Sequence, residues 1–401
     1  MESCSVKPLK RLPTKKECIK SLGDISKLPK RLQICFEEED IDQQFIRKKP
    51  FSGPDCDTYE WIYRHDTPQQ TLAEYHADGP NKVYSNQCKV YLKPQDEKIP
   101  EYFLTCCFKY AKAFFHGMHV QLLPCGDWKN LDIKVYEKSY GIQLDSSDIM
   151  EKTFYKKPKD TYTYMNIVRD DLSRKGFGYV IGVSNFKSNT GVFSTARYDP
   201  EWRKCLSPGD DDEEDEKEEE ISYESLVHKQ NQFNRLLFRS LKVLAHEITH
   251  TFCMPHCPYY ECLMNGSNTI IEGKRKPMYL CPVCLRKMQS VIGFDIIERY
   301  QKIVEVIEEL ENPFFEDTLA WYKERLEQVE NRAFKEGAYK PYRIVHPEVP
   351  LPMKKVVRTV VKKKKPARPG LMPKEEVKKS NTKGKKLTAI QRLIMEKKNK
   401  K

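Results

Sequence analysis

The sequence predicts an α+β fold, with strands in the first half of the chain and helices in the second. Three observations indicate this class: a strand, helix and strand pattern over residues 88–124, two short apolar strands within residues 179–198, and amphipathic helices from residue 231 onward. With 401 residues and 39% apolar content, the chain can bury at least one full core.

The first strand is predicted at Cys88–Leu92, from the run "CKVYL". A mostly buried helix is predicted at Pro100–Gly117, because proline is favoured in the first turn of a helix and glycine just past its end. The segment "MHVQLLP" then predicts a strand that Pro124 ends.

Two further short strands are predicted at Tyr179–Asn185 and Gly191–Tyr198. Both are typical of a core sheet, but the second alternates enough to be an edge strand. This position would matter for function, because an extended peptide can bind by adding to a free sheet edge.

The second half of the chain is predicted to be helical. In residues 231–252, apolar side chains recur at spacings of three and four, which predicts an amphipathic helix of about five turns. A second helix is predicted from Cys284 to Glu311, and a third over Glu316–Gly337.

Composition divides the chain into three parts: a polar extension at residues 1–75, a folded domain at 76–340 and a basic tail at 341–401. Residues 351–401 carry 19 Lys and Arg against 3 Glu, so this +16 segment leaves −4 of the chain's +12 for residues 1–350. The tail is rich in Pro and Lys and is predicted to be disordered. Gly209–Glu220, with ten acidic residues in twelve, is predicted to be a solvated surface loop.

The composition also bears on compartment. No run of 18 apolar residues occurs and the N-terminus lacks the apolar stretch of a secretory signal, so neither a membrane span nor export is expected. The fourteen cysteines are then expected to be thiols and metal ligands in an intracellular compartment, cytoplasmic or nuclear.

The segment "AHEITHTFCMPHC" contains an HExxH motif followed by a third histidine. His246 and His250 are one helical turn apart and can share one ion, which His256 reaches if the helix ends soon after Phe252. Three imidazoles leave a position open for water, as in a catalytic zinc site. In such a motif, Glu247 is the general base that takes the proton from a zinc-activated water.

Four cysteines predict a second zinc site. Their spacing is C-x4-C-x18-C-x2-C, and the residues are Cys257, Cys262, Cys281 and Cys284. Four thiolates form a closed tetrahedral site that stabilises the fold and leaves no open position. The sequence therefore predicts two zinc ions per chain, one open and one closed.

These motifs, together with "ECLM", "CPVCLRKM", "AKAFFHGMHVQLL", "GVFSTARY" and "VIGFDIIERY", resemble the archaemetzincins over roughly Lys82 to Asn312. The resemblance implies that His246, His250 and His256 bind the catalytic zinc, that Glu247 is the general base and that the four cysteines bind the second zinc. It implies a Met-turn methionine at Met264, beneath the catalytic site. The implied fold is metzincin-like: a twisted mixed sheet with backing helices, a zinc-binding active-site helix, then a smaller helical C-terminal subdomain.

The resemblance implies a zinc metallopeptidase, aminopeptidase-like on short peptides, with peptide as substrate. One departure is Cys253, which stands where the family has glycine. A cysteine with left-handed backbone geometry would cost roughly 1 kcal/mol, and its thiol is expected near the open coordination position.

The alternative hypothesis is a catalytically silent zinc-binding protein. Its basic tail would bind acidic partners or nucleic acid, because dense lysines favour anionic surfaces.

Overall fold

The structure is a computed structural model, and it describes residues 11–48, 60–65, 67–200, 202, 223–342, 346 and 348. By its contacts the chain divides into Met1–Pro350 and Leu351–Lys401. All of the described residues belong to the first unit. The predicted acidic loop and the predicted tail from Leu351 onward lie outside them.

The described residues form nine strands. They are β1 Lys89–Pro94, β2 His119–Leu122, β3 Val135–Lys138, β4 Gly141–Asp145, β5 Thr161–Val168, β6 Asp171–Arg174, β7 Phe177–Val180, β8 Gly182–Asn185 and β9 Thr190–Ser194.

The same residues form twelve α-helices. They are α1 Lys15–Lys20, α2 Lys30–Gln33, α3 Glu38–Gln44, α4 Trp61–Arg64, α5 Leu72–Ala77, α6 Glu101–Phe114, α7 Ser146–Phe154, α8 Tyr223–His250, α9 Ile270–Arg275, α10 Pro282–Ile292, α11 Ile296–Leu310 and α12 Glu316–Lys335. None of them is long and apolar enough to cross a lipid bilayer.

The strands form two mixed sheets rather than the single sheet expected. The larger has the order β2-β1-β5-β9-β8, and all neighbours in it are parallel except β8, which is antiparallel to β9. The smaller has the order β3-β4-β6-β7, with one parallel pair, β4 and β6. The smaller sheet packs on its own cluster of buried side chains, which includes Leu144, Ile149 and Leu172 and is separate from the main core.

The structure corrects the predicted edge strand. Strand β9 lies between β5 and β8, and all five of its residues are buried. Ala196–Tyr198, predicted as its continuation, is a 3₁₀ helix. The predicted strand at 179–185 is also two strands in different sheets, β7 and β8, and β8 is the edge. A short apolar run cannot reveal which of two neighbouring strands lies outermost.

Helix prediction was closer to the structure. The predicted helix at 100–117 is confirmed as α6, with Pro100 at its N-cap and Gly117 beyond its end at φ 94°. The helix predicted from Cys284 is two helices, α10 and α11, because Gly293 adopts φ 77° and ends the first of them.

The first 75 residues, assigned to a polar extension, pack into the main core where the structure describes them. Leu32, Ile34, Phe36 and Ile41 are each at most 1% exposed and belong to the same cluster as α6, α8 and the C-terminal helices. At the other end, Tyr342 N donates a hydrogen bond to Asp295, so ordered contacts extend past residue 340. The average composition of residues 1–75 is polar, and it does not reveal the few apolar side chains that attach this segment to the core.

Candidate metal centre

The end of α8 carries three of the predicted site residues. Within it, His246 and His250 lie on one face with Glu247 beside them, and the helix ends at His250. Cys253 then adopts φ 61° and donates its N–H to His250 O at 2.9 Å. This left-handed turn lets the chain return towards His256, as the motif predicts.

The structure brings the three imidazoles together. One nitrogen from each lies within 4.8 Å of the others. His246 Nδ1 lies 2.8 Å from Leu263 O, and His250 Nδ1 lies 2.7 Å from Met254 O. Each Nδ1 must therefore carry the proton, which leaves the Nε2 lone pairs pointing inward.

This arrangement fits a metal cation. His246 Nε2 and His250 Nε2 are 3.0 Å apart, so two lone pairs face each other unless a cation lies between them. Burial lowers the pKa of all three histidines, that of His250 to about 4, which keeps the rings neutral. Neutral imidazole is the form that binds zinc.

Glu247 is held by strand β8. Ser184 Oγ lies 2.9 Å from Glu247 Oε2 and 2.8 Å from Glu247 O, and its single proton can serve either. Gly182 packs against the same side chain, because a Cβ at this position would lie 2.8 Å from Glu247 Oε1. Burial raises the pKa of Glu247 to about 7. Sequence reasoning missed both residues of β8, since nothing in a strand of four residues marks its helix contact.

A cavity of about 900 Å³ opens beside the three histidines. Glu247 and the four residues of β8 line it with them. Ile181 O accepts a hydrogen bond from Ser194 N of the neighbouring strand, and hydrogen-bonded pairs alternate along an antiparallel ladder. The backbone groups of Gly182 and Ser184 therefore point away from β9, towards the edge of the sheet that no other strand of the described residues covers.

Trp61 closes one side of the site, and it comes from the segment predicted as an extension. Its indole lies 4.3 Å from the His256 ring and 3.7 Å from the His65 ring, between centroids. A Cβ at Gly266 would come within 2.3 Å of the indole, so glycine is required there. No local pattern predicts the contact between Trp61 and His256, which lie 195 positions apart in the sequence.

The four predicted cysteines also meet. Their sulfurs lie within 4.8 Å of one another and all four residues are buried, with Cys257 Sγ and Cys281 Sγ 3.5 Å apart. A tetrahedral site with Zn–S bonds of about 2.3 Å separates its sulfurs by about 3.8 Å. Cys262 Sγ accepts backbone N–H groups from Met264 at 3.4 Å and Cys281 at 3.2 Å, which hold this sulfur in place. The cluster therefore fits a closed metal site.

The segment Leu263–Asn265, which follows Cys262, contacts both clusters. Leu263 O accepts from His246, and the next residue, Met264, is fully buried and donates its N–H to Cys262 Sγ. Asn265, which sequence reasoning missed, donates to Cys257 O and accepts from Cys262 N. Its amide thus fixes the loop that presents two of the four cysteines.

The structure corrects the expected position of the Cys253 thiol. Cys253 lies outside the lining of both cavities that the histidines line, and its side chain packs against the core cluster. The predicted left-handed backbone is present, but the chain reverses here before it reaches His256. The thiol therefore does not face the open side of the histidines.

Comparison with known proteins places these motifs in a family. The family model described as "Peptidase family M54" matches residues 220–290, which include both clusters. Archaemetzincin-2 of Homo sapiens and of Pongo abelii are each 31% identical over 265 residues, covering 62% of this chain and 72% of the relative. Archaemetzincin-1 of Homo sapiens is 27% identical, covering 61% of this chain and 51% of that protein.

Two solved structures are also similar. Archaemetzincin from Archaeoglobus fulgidus, complexed with malonate, is 20% identical and has a TM-score of 0.34, with 50% of this chain and 99% of that chain covered. A zinc-dependent peptidase from Methanocorpusculum labreanum is 19% identical and has a TM-score of 0.37, with the same coverage.

Proposed function

The chain belongs to the archaemetzincin family, as the motifs predict, and from this premise we propose that it is a zinc metallopeptidase. The reaction is hydrolysis of a peptide bond, with Glu247 as general base. One observation carries the proposal: the open side of three inward-facing histidines, a buried carboxylate and a free strand edge line one cavity of about 900 Å³.

In this proposal His246, His250 and His256 hold the catalytic zinc, and the four cysteines hold a second, structural ion. When bound, the catalytic zinc supplies a Lewis acid that polarises a carbonyl and lowers the pKa of water. The residues themselves fix the geometry. Backbone carbonyls orient two of the imidazoles, and the indole of Trp61 packs against the third.

Glu247 is placed to move protons. It lies next to His246 in sequence and in the cavity wall, and Ser184 and Gly182 fix its carboxylate from the opposite side. A carboxylate held in a buried position by one hydroxyl can take a proton from water and return it to the leaving amine.

Strand β8 is proposed to bind the substrate backbone. Its free edge offers the N–H and C=O groups of Gly182 and Ser184, and an extended peptide can pair with such an edge. The edge expected at Gly191–Tyr198 is thus supplied by the preceding strand. The peptide would then lie beside Glu247 and the histidines, which line the same cavity.

The finer assignments rest on the family resemblance: aminopeptidase-like action on short peptides, a metzincin-like arrangement with Met264 as a packing floor, and an intracellular location. The alternative of a silent binding protein drew on a Cys253 thiol near the open side of the histidines and on the basic tail, and the thiol packs against the core instead. The partner of the basic tail stays a prediction.

The test is Glu247→Gln, which keeps the shape of the side chain and removes the base. We expect peptide hydrolysis to fall by at least about 100-fold while zinc content and melting temperature stay unchanged. Glu151→Gln is the matched control, because Glu151 is an exposed residue of the same cavity. A Glu247→Gln protein that binds zinc and cleaves a peptide library as the wild type does would contradict the proposal.

A further inference from the structure

A second cavity, of about 400 Å³, adjoins the site on the side of the segment that follows Met264. Its wall combines site residues with three cations. These residues are His246, Glu247, His256, Arg174, Lys242 and Lys276. Neither zinc cluster accounts for the cations, and the proposed hydrolysis does not use them.

Two of the cations are accounted for, Lys242 by its hydrogen bonds and Arg174 by its exposure to solvent. Lys242 Nζ donates to the carbonyl oxygens of Lys276 at 2.6 Å and of Lys274 at 3.3 Å. These bonds fix the end of α9, where Lys276 is extended and precedes Pro277. Arg174 is exposed and lines both cavities. Lys242 therefore holds the turn that presents Lys276.

Lys276 is different, because the carboxylates of Glu247 and Glu272 act on its ammonium only through space among the residues that the structure describes. No hydrogen bond and no ion pair involves Lys276 Nζ there. The acidic side chains nearby are engaged elsewhere: Glu247 with Ser184, and Glu272 with the backbone N–H groups of Trp61 and Asn268.

A half-buried ammonium that makes no hydrogen bond to the protein carries a free-energy cost that a bound anion would offset. Burial lowers the pKa of Lys276 to about 8, which expresses the same cost. The cavity offers space for a substrate group at this point, directly beside Glu247 and His256.

We infer that Lys276 binds a carboxylate of the substrate, so that the site favours peptides with an anionic group next to the scissile bond. The inference rests on the proposed function and names its substrate class. Carboxylates are the anions that unmodified peptides carry. The free C-terminus of a short peptide and an acidic side chain both provide this chemistry.

Lys276 would instead be a transition-state residue if it stabilised charge on the scissile carbonyl. The two roles differ in what they discriminate. A substrate-carboxylate site changes kcat/KM only for substrates that carry the carboxylate, whereas transition-state stabilisation affects all substrates equally.

The experiment uses the zinc-loaded full-length chain and two pairs of peptides. Trialanine is compared with its C-terminal amide, and an amidated tripeptide with glutamate in the second position is compared with its glutamine analogue. The first pair tests a C-terminal carboxylate and the second an acidic side chain. The variants are Lys276→Met, Lys276→Arg as rescue and Lys274→Met as a control of equal charge change on an exposed neighbour.

We expect the wild type to prefer the anionic member of at least one pair by about ten- to hundredfold in kcat/KM, as for a charge-assisted hydrogen bond. Lys276→Met should abolish that preference, whereas Lys276→Arg and Lys274→Met should retain it. Hydrolysis without a preference, or an equal loss for both members of each pair in Lys276→Met, overturns the inference while leaving the proposed function intact.

Binding provides the independent readout. Calorimetry with the Glu247→Gln protein, with and without Lys276→Met, measures the affinity for both members of each pair without turnover. Tighter binding of an anionic peptide that depends on Lys276 supports the inference even if the wild type cleaves no peptide, in which case only the proposed function fails. Equal affinities within both pairs, or no binding of any of the four peptides, contradict the inference.

Discussion

The two clusters that fit zinc differ in what surrounds them, although His256 of one and Cys257 of the other are adjacent in the sequence. All four cysteines are buried, and backbone N–H groups point at Cys262. In the histidine cluster, His256 is half-buried, and the open side faces a large cavity with Glu247 in its wall. One cluster is built to be sealed and the other to receive a ligand.

One loop supports both clusters. Leu263 orients a histidine through its carbonyl, and Met264 donates to a cysteine through its amide. The sealed cluster can therefore hold the loop on which the open cluster depends. It follows that losing the cysteine site should damage the histidine site, whereas the reverse should not hold.

The largest effect is expected for Cys284→Ser. Removing one of four thiolates weakens a site whose binding free energy contributes to folding, against a total stability of roughly 5 to 15 kcal/mol for a folded domain. We expect loss of soluble protein or a melting temperature lowered by about 10 °C or more, with both ions lost. Thermal unfolding and native mass spectrometry measure these quantities.

Cys125→Ser is the control, because Cys125 is an exposed free cysteine outside the cluster. A Cys284→Ser protein that melts like Cys125→Ser would show that the four cysteines add nothing to the fold.

The next largest effect is expected for the double variant His246→Ala, His250→Ala. Zinc should fall from two ions per chain to one, since the cysteine cluster is intact. Saturating zinc at about 100 to 1,000 times the Kd stabilises a protein by roughly 3 to 4 kcal/mol, and this increment should be lost from the open site. Native mass spectrometry and melting curves with and without added zinc test it. Loss of both ions would show that the clusters depend on each other in both directions.

The sequence predicts which side chains meet in the two clusters, because each set obeys a short-range rule. The turn spacing of His246 and His250, and the knuckle from Cys281 to Cys284, can be read without knowledge of the fold. The left-handed turn at Cys253 is also present in the structure, and the glycine that the family has at this position predicts it.

The residues that surround the ligands could not be predicted in this way. Trp61 reaches the site because the N-terminal segment packs on the chain that follows α8, and Ser184 because strand β8 packs on α8; no local pattern encodes such contacts. Lys276 is another example. In the sequence it is one of three basic residues in four at "KRKP", and only the structure shows which of them faces the cavity.

A smaller effect, confined to the open cluster, is expected for Gly182→Ala. The new Cβ would lie 2.8 Å from Glu247 Cγ and Oε1, so the carboxylate must move. Because a displacement of about 1 Å can cost two orders of magnitude in rate, we expect kcat to fall by about ten- to hundredfold with zinc content unchanged. Steady-state kinetics on a cleaved peptide measure it.

Gly178→Ala is the matched control, since a Cβ at Gly178 meets nothing within 4 Å. Equal activity of the two alanine variants would mean that strand β8 does not position Glu247.

The smallest effect is expected for Cys253→Gly, at the left-handed turn between His250 and His256. Glycine adopts φ 61° without strain, but it also makes the unfolded chain more flexible, so the free energy of unfolding should rise by about 1 kcal/mol at most. Because the thiol packs against the core and lines neither cavity, kcat/KM should change by less than about twofold, well under 1.4 kcal/mol.

Glu311→Gly relieves a similar backbone, at φ 46°, at the end of α11 and serves as the control. If Cys253→Gly instead raised activity strongly while Glu311→Gly did not, the native cysteine would be restraining the open cluster, and the silent binding protein would become the better description of this chain.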